Sequence, residues 1–303
     1  MKHAYLIMVH KNSYTLEKLL QLIDYNINSI FIHVDAKCKD FDKVKYASLV
    51  KKGQLFFCEE RVNVSWGGYS QVLAELTLMK TALKQGPFVY YHLLSGQDLP
   101  LKPQKVIHEI CNKTPNKVYL EYRTDIDKKT EFGKKVYQRV SVIHYLQEYR
   151  TRFNNRVLKN LILFIDRFLI GTQIFLLKRD LVKEKNISLV YGSNWFSCPE
   201  KVIEYVVNSE KIIENYFSKA SFCDELFIQT ILASTDCDFE IHSNMRKVDF
   251  NKGVGDGHPY IWRHHDFKEL TKSDAFFARK FDENVDINII DNVYELVINL
   301  SKK

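Results

Sequence analysis

Glycine and proline are scarce in this chain, 11 and 6 residues of 303. That excludes a flexible linker, a proline-rich spacer or a low-complexity tract. No segment repeats. The six cysteines form no CxxC pair and no zinc-ligand spacing. No apolar run is long enough to span a bilayer, and no signal-peptide pattern precedes the strand-like "AYLIMVH" (4–10). Free thiols in a reducing cytoplasm are the expectation from these absences. DNA- and RNA-binding motifs are missing too, so no nucleic-acid partner is expected.

What is present supports one large core: 46% of residues are hydrophobic and 13% aromatic. The formal net charge is +7, from 44 Lys and Arg against 37 Asp and Glu. Spread as it is, that excess suits an anionic ligand or a membrane surface.

Short apolar runs rich in β-formers occur at 4–10, 29–35 and 54–60, and again at "FVYYHLLS" (88–95). Leu16, Leu19, Leu20 and Ile23 fall on one helical stripe, as do Val72, Leu76, Met79 and Leu83 before Gly86-Pro87. Strand, helix, strand, strand, helix, strand predicts an α/β fold with a mostly parallel sheet. In such sheets ligands bind outside the carboxyl ends of the strands. Polar residues stand at just those ends: His10, then His33-Val34-Asp35, then Ser95-Gly96-Gln97-Asp98. Gly96 would let the backbone turn there or approach a ligand. Alternatively, Ser95 and Asp98 only cap the turn.

Six motifs occur in order: "HVD-K" at 33–37, "VSWGGYSQVLAELTLMKTAL" at 64–83, "YYHLLSGQDLPLK" at 90–102, "GSNWF" at 192–196, "DELFIQTIL" at 224–232 and "SDAFFARKFD" at 273–282. Together they resemble the Core-2/I-branching glycosyltransferases, which include β-1,6-N-acetylglucosaminyltransferases, peptide O-xylosyltransferases and short bacterial members. The resemblance covers roughly 1–285 and implies a single GT-A-like domain over 1–303. Its nucleotide-binding half would be 1–115 and its acceptor and catalytic half 116–303, with helices on both faces of the sheet. It further implies inverting transfer from a UDP-sugar to a carbohydrate hydroxyl, with no metal and no other cofactor. GlcNAc is the first expectation for the sugar and xylose the second. Surface polysaccharides are the plausible products.

Direct displacement needs a carboxylate to take the acceptor's proton. The resemblance assigns that role to Glu225, with Asp224 as a cap or support; first-turn carboxylates are also common as plain helix caps. The leaving diphosphate needs positive charge, and the resemblance assigns it to Lys280 beside Arg279. The family's second basic residue has no clean match in the short segment "GHPYIWRHHD" (257–266), where Arg263 is the candidate. His33, Val34 and Asp35 match the uridine pocket, and Ser95 and Asp98 stand beside it. Glu121 matches a carboxylate that bonds acceptor hydroxyls, and Arg139 a basic neighbour. Asp249 is a further hydroxyl contact. Trp195 and Phe250 are candidate stacking faces for a sugar ring, although core packing is the usual role of an aromatic.

Two rivals follow from the residues. "DID" (125–127) after the strand-like "KVYLEY", or "DCD" (236–238), would make the protein a metal-dependent transferase, with Asp125 and Asp127 the main pair. A catalytically inactive carbohydrate-binding homologue is the other. Finally, 149–171 places Arg150, Arg152, Arg156 and Lys159 ahead of a strongly apolar stretch. It predicts a basic amphipathic helix lying peripherally on the inner face of the plasma membrane, near a lipid-linked acceptor, or else an insertion whose apolar side packs on the domain.

Overall fold

A computed structural model describes residues 1–149, 155–235, 239–253 and 258–302. The "DCD" triplet, Arg150 and Arg152 lie outside the described residues.

The chain opens with β1 (His3–Val9), α1 (Tyr14–Ile23), β2 (Asn28–Val34), α2 (Lys43–Leu49) and β3 (Gln54–Phe57). Next come α3 (Tyr69–Leu83), β4 (Tyr90–Ser95), β5 (Asp98–Pro100), α4 (Gln104–Lys113) and β6 (Lys117–Tyr119). Helices α5 (Glu131–Ser141) and α6 (Arg156–Phe175) lead to β7 (Ser197–Pro199), β8 (Glu240–His242), β9 (Arg246–Lys247) and β10 (Phe277–Arg279). A seven-stranded sheet runs in the order β3-β2-β1-β4-β7-β6-β8. Only β7 runs against the others. The expected α/β class with a mostly parallel sheet is therefore present.

Both faces of this sheet are covered, which explains why its strands read as unbroken apolar runs rather than alternating ones. Ala4 and Leu6 of β1 point into one core with α3, while Tyr5, Ile7 and Val9 point into the other with α1 and α4. Ser13 caps α1 by accepting from the Leu16 N–H, and the predicted stripe Leu16, Leu19, Leu20 and Ile23 is buried. A second, three-stranded sheet, β5-β10-β9, joins the segment after β4 to the C-terminal motif.

That second sheet explains the polar elbow at 95–98. The Asp98 carboxylate accepts from the Ser95 N–H (2.8 Å) and the Ser95 hydroxyl (3.1 Å), closing the turn on itself. In the register of β5 with β10, Asp98 lies opposite Arg279. Its carboxylate is 3.6 Å from the Arg279 Nε. Gly96 has no special role in the turn: a Cβ there would make only ordinary contacts, 3.6 Å or longer.

The segment expected as a helix over 149–171 is helical from Arg156 to Phe175. Its apolar residues are divided: Leu158, Leu163, Leu169, Ile170 and Ile174 are half-buried against the domain, and others face outward. Ile162, Asp166 and Gln173 are buried, whereas Phe164 and Phe168 are 70% and 67% exposed. Among the described residues no helix is long and apolar enough to cross a membrane.

Candidate active site

A cavity of about 680 Å³ opens at the carboxyl ends of β1, β2 and β4. His10, His33, Asp35 and Ser95 line one side, and Glu121, Trp195, Asp224 and Glu225 another. Arg246, Phe250, Arg279 and Lys280 complete it. Most of the polar residues singled out in the sequence thus meet in one place.

The catalytic candidate stands on a constrained turn. Phe222 adopts a left-handed backbone (φ 46°, ψ 42°), a conformation that costs a β-carbon residue on the order of 1 kcal/mol. Its N–H is held by the Gly67 carbonyl at 2.7 Å. The 3₁₀ turn Cys223–Glu225 then presents Asp224 and Glu225, ahead of the helix Phe227–Leu232. Arg139 reaches over from α5 and donates to the Glu225 carboxylate at 2.6 Å. Both side chains are partly exposed, so the contact orients Glu225 more than it stabilises the fold.

Behind Glu225 sits a buried acidic pair. Glu75 of α3 is fully enclosed, and burial pushes its carboxyl well above the usual range, with the Asp224 charge adding to this. Burial and the neighbouring Glu225 charge push Asp224 up to about 7. Asn194 donates to Glu75 and Gln71 to Asp224. This arrangement has a pH consequence. The folded protein keeps the Asp224 proton up to about pH 7, while the unfolded chain releases it near pH 4. Stability from this group is therefore greatest below pH 4 and falls as pH rises to 7. Asp224→Asn should raise the melting temperature, relative to the parent, more at pH 8 than at pH 5. Parallel melting curves across that range would contradict the assignment.

Gly192 joins the Glu121 segment to the Glu225 turn. Its N–H donates to the Glu225 carbonyl at 3.0 Å, and a Cβ there would lie 1.9 Å from the Glu121 carbonyl oxygen. No side chain fits between those two segments. The Glu121 carboxylate accepts from the Ser193 N–H at 3.1 Å.

Part of the cavity wall is cationic. The Arg279 guanidinium stacks on Trp195, 3.9 Å from the ring centroid. Its Nε and Nη1 are shut from solvent without a hydrogen-bond partner. Each unmet buried N–H costs about 1–3 kcal/mol, offset at Nε by the Asp98 carboxylate 3.6 Å away. Lys280 is half-buried; burial and then the Arg279 charge lower its pKa. Arg246 donates to the Phe196 carbonyl at 2.6 Å and to the Leu93 carbonyl at 3.3 Å, and its own Nε is unpartnered.

The Core-2/I-Branching enzyme model matches residues 3–274. The chain belongs to that family. A probable beta-1,3-galactosyl-O-glycosyl-glycoprotein beta-1,6-N-acetylglucosaminyltransferase 7 from Sus scrofa is 33% identical over 118 residues, covering 38% of this chain and 27% of its own length. Xylosyltransferase 1 from Canis lupus familiaris is 23% identical over 310 residues, covering 95% of this chain and 30% of its own. The chain thus spans less than a third of the length of these two relatives. A Mus musculus beta-1,3-galactosyl-O-glycosyl-glycoprotein beta-1,6-N-acetylglucosaminyltransferase 4 is 23% identical over 309 residues, 93% of this chain and 62% of its own.

Several residues expected at the family site stand elsewhere. Val34 is buried in the core beside α1, and its carbonyl accepts from Arg61. Its side chain faces inward because it continues the period-two pattern of β2. Asp98 lies behind Arg279 and does not line the cavity. Arg263 is exposed, starts the 3₁₀ turn 264–266 and does not line the cavity; Arg246 lies there instead. Asp249 does not line it either, because its carboxylate is spent on the N–H groups of Asn251 and Lys252. Trp195 lines it with one ring face already covered by Arg279. Asp125 and Asp127 are exposed and do not line it; Asp125 pairs with Arg123, and Asp127 accepts from the Lys129 N–H.

At the end of β2, His33 accepts from the Val62 N–H at 2.9 Å, and burial pushes its pKa down to about 4, so the ring stays neutral. Asp35 is paired with Lys37 at 3.3 Å. Sequence reasoning missed Gln71, Glu75 and Arg246. The first two lie inside the 64–83 motif and fall at i and i+4 on one face of α3, a usable signal. Arg246 carried none among 44 basic residues.

Proposed function

We propose that this chain is an inverting glycosyltransferase that moves a sugar from a UDP-sugar to a carbohydrate hydroxyl without a bound metal. GlcNAc is the first donor to test and xylose the second. One observation supports the proposal: a partly exposed carboxylate, Glu225, and the cations Arg279 and Lys280 line a single cavity at the strand ends.

In this mechanism the diphosphate lies on Arg279 and Lys280, with Arg246 adding charge from below. The acceptor hydroxyl gives its proton to Glu225 as its oxygen bonds to the anomeric carbon. The bond from that carbon to the β-phosphate oxygen breaks, and its electron pair leaves with UDP. Attack opposite the leaving group inverts the configuration. Charge developing on the departing oxygen meets N–H groups already in position. Glu121 and Phe250 offer a hydrogen-bonding group and an exposed ring face for the acceptor. Fixed cations inside the cavity, with Asp125 and Asp127 outside it, favour this over the metal-dependent alternative. We further propose that the acceptor is met at an anionic membrane surface reached by α6, on the inner face of a bacterial plasma membrane during surface polysaccharide assembly.

The test is release of UDP and formation of glycoside on incubation with UDP-GlcNAc or UDP-xylose and candidate saccharides. Binding of either nucleotide sugar should raise the melting temperature. Binding without any UDP release would favour the inactive homologue.

A further inference from the structure

A second cavity, of about 560 Å³, lies between α5 and α6. Lys135, Arg139, His144 and Arg167 line it together with Ile170, Ile174, Phe175 and Phe222. No carboxylate is among its described lining residues. Arg139 lines this cavity and links it to the first, which it does not itself line, by holding Glu225. Phe222 is part of the same partition, in edge contact with Trp66 of the first cavity at 4.9 Å.

The outer side of α6 continues this cavity as a hydrocarbon surface. Val157, Leu161, Phe164, Phe168 and Phe175 recur at i, i+4, i+7, i+11 and i+18, so they form one exposed stripe. Leu176 and Leu177 extend it, also exposed. Arg156 and Arg167 lie along the flank of the stripe nearer the cavity, and Lys178 at its end. The only acidic residue of α6, Asp166, is buried. Water-exposed hydrocarbon beside the positive charges of Arg156, Arg167 and Lys178 fits an anionic amphiphile: its phosphate in the cavity, its chain along the stripe.

We infer that the α5–α6 cavity binds the phosphate of a lipid-phosphate-linked acceptor, with the saccharide passing Arg139 to reach Glu225. The inference rests on the glycosyltransferase function proposed above. It adds a carrier-binding site separate from the donor cavity. Lys135 also pairs with Glu131 at 2.6 Å, on the exposed surface, where the contact competes weakly with a phosphate.

Dodecyl phosphate below its micelle concentration serves as the probe, measured by titration calorimetry on the full chain, with UDP titrated in parallel. Dodecyl phosphate should bind, and the Lys135→Gln/Arg167→Gln double variant should weaken it roughly 10–100-fold while UDP affinity is unchanged. Phe175→Ser should weaken it as well, and an equal concentration of inorganic phosphate should not displace it. Parent-like affinity in the double variant overturns the inference. So does displacement by inorganic phosphate, which would mark a free-phosphate site, or equal binding of the uncharged dodecyl maltoside, which would mark plain hydrocarbon adsorption. If dodecyl phosphate binds as described but UDP does not, the donor reading fails and the carrier site stands.

Discussion

Glu225→Gln should lose sugar transfer by roughly 10²–10⁴-fold and still bind UDP like the parent. Glutamine keeps the size of the side chain and an oxygen for the Arg139 hydrogen bond, so the local geometry survives. What disappears is a group able to accept the acceptor's proton. In the proposed mechanism the carboxylate serves the acceptor hydroxyl, whereas the diphosphate would lie against Arg279 and Lys280 of the same cavity. Binding and chemistry should therefore separate: unchanged UDP affinity by calorimetry, collapsed turnover by product formation. Near-normal turnover in Glu225→Gln would remove it as the base and direct attention to Asp224, which lines the same cavity.

The second large effect concerns the leaving group. Lys280→Ala should lower both UDP affinity and turnover, the rate by roughly 10–100-fold, with EDTA leaving the parent rate nearly unchanged. Lysine 280 is a cleaner probe than its neighbour. Arg279 supports Trp195 and faces the buried Asp98, so its removal would leave a buried carboxylate unpaired and disturb the fold. Lys280 has no such partner to strand, and burial beside Arg279 already disfavours its charged form. An incoming diphosphate would reverse that disfavour, which is why its loss should appear in binding as well as in rate. Lys280→Arg keeps the charge with different shape and reach, so partial activity should remain. A metal enzyme would respond in the opposite way. EDTA would abolish turnover, Mn²⁺ would restore it, and Asp125→Ala or Asp127→Ala would mimic chelation. A metal requirement with an indifferent Lys280 would overturn the metal-free mechanism.

The apolar runs of β1, β2 and β4 determined a sheet covered on both faces, because only strands buried on two sides carry hydrophobic residues without alternation. The stripe of α1 and the polar strand ends likewise determined where a ligand cavity would open. The six ordered motifs carried the family, and they carried Glu225, Lys280, His33, Asp35, Ser95 and Trp195 to one cavity, which Glu121 and Phe250 join from outside those motifs. Local pattern could not decide which of 44 basic residues would be driven inside. That depended on long-range pairing: β9 and β10 close the small sheet, which puts Arg246 and Arg279 into the cavity and leaves Arg263 on an exposed turn. The same holds for carboxylates. Asp98 and Asp249 both stand beside apolar residues in the sequence, and nothing local tells their fates apart. Pairing across β5 and β10 gave the first a buried arginine, while the second had only its own turn's N–H groups to accept from. Tertiary packing also decided the fate of α6. Its periodicity announced an amphipathic helix, but which side meets protein and which meets the surroundings is a property of its neighbours, and they bury Ile162, Asp166 and Gln173 while leaving the phenylalanine stripe uncovered.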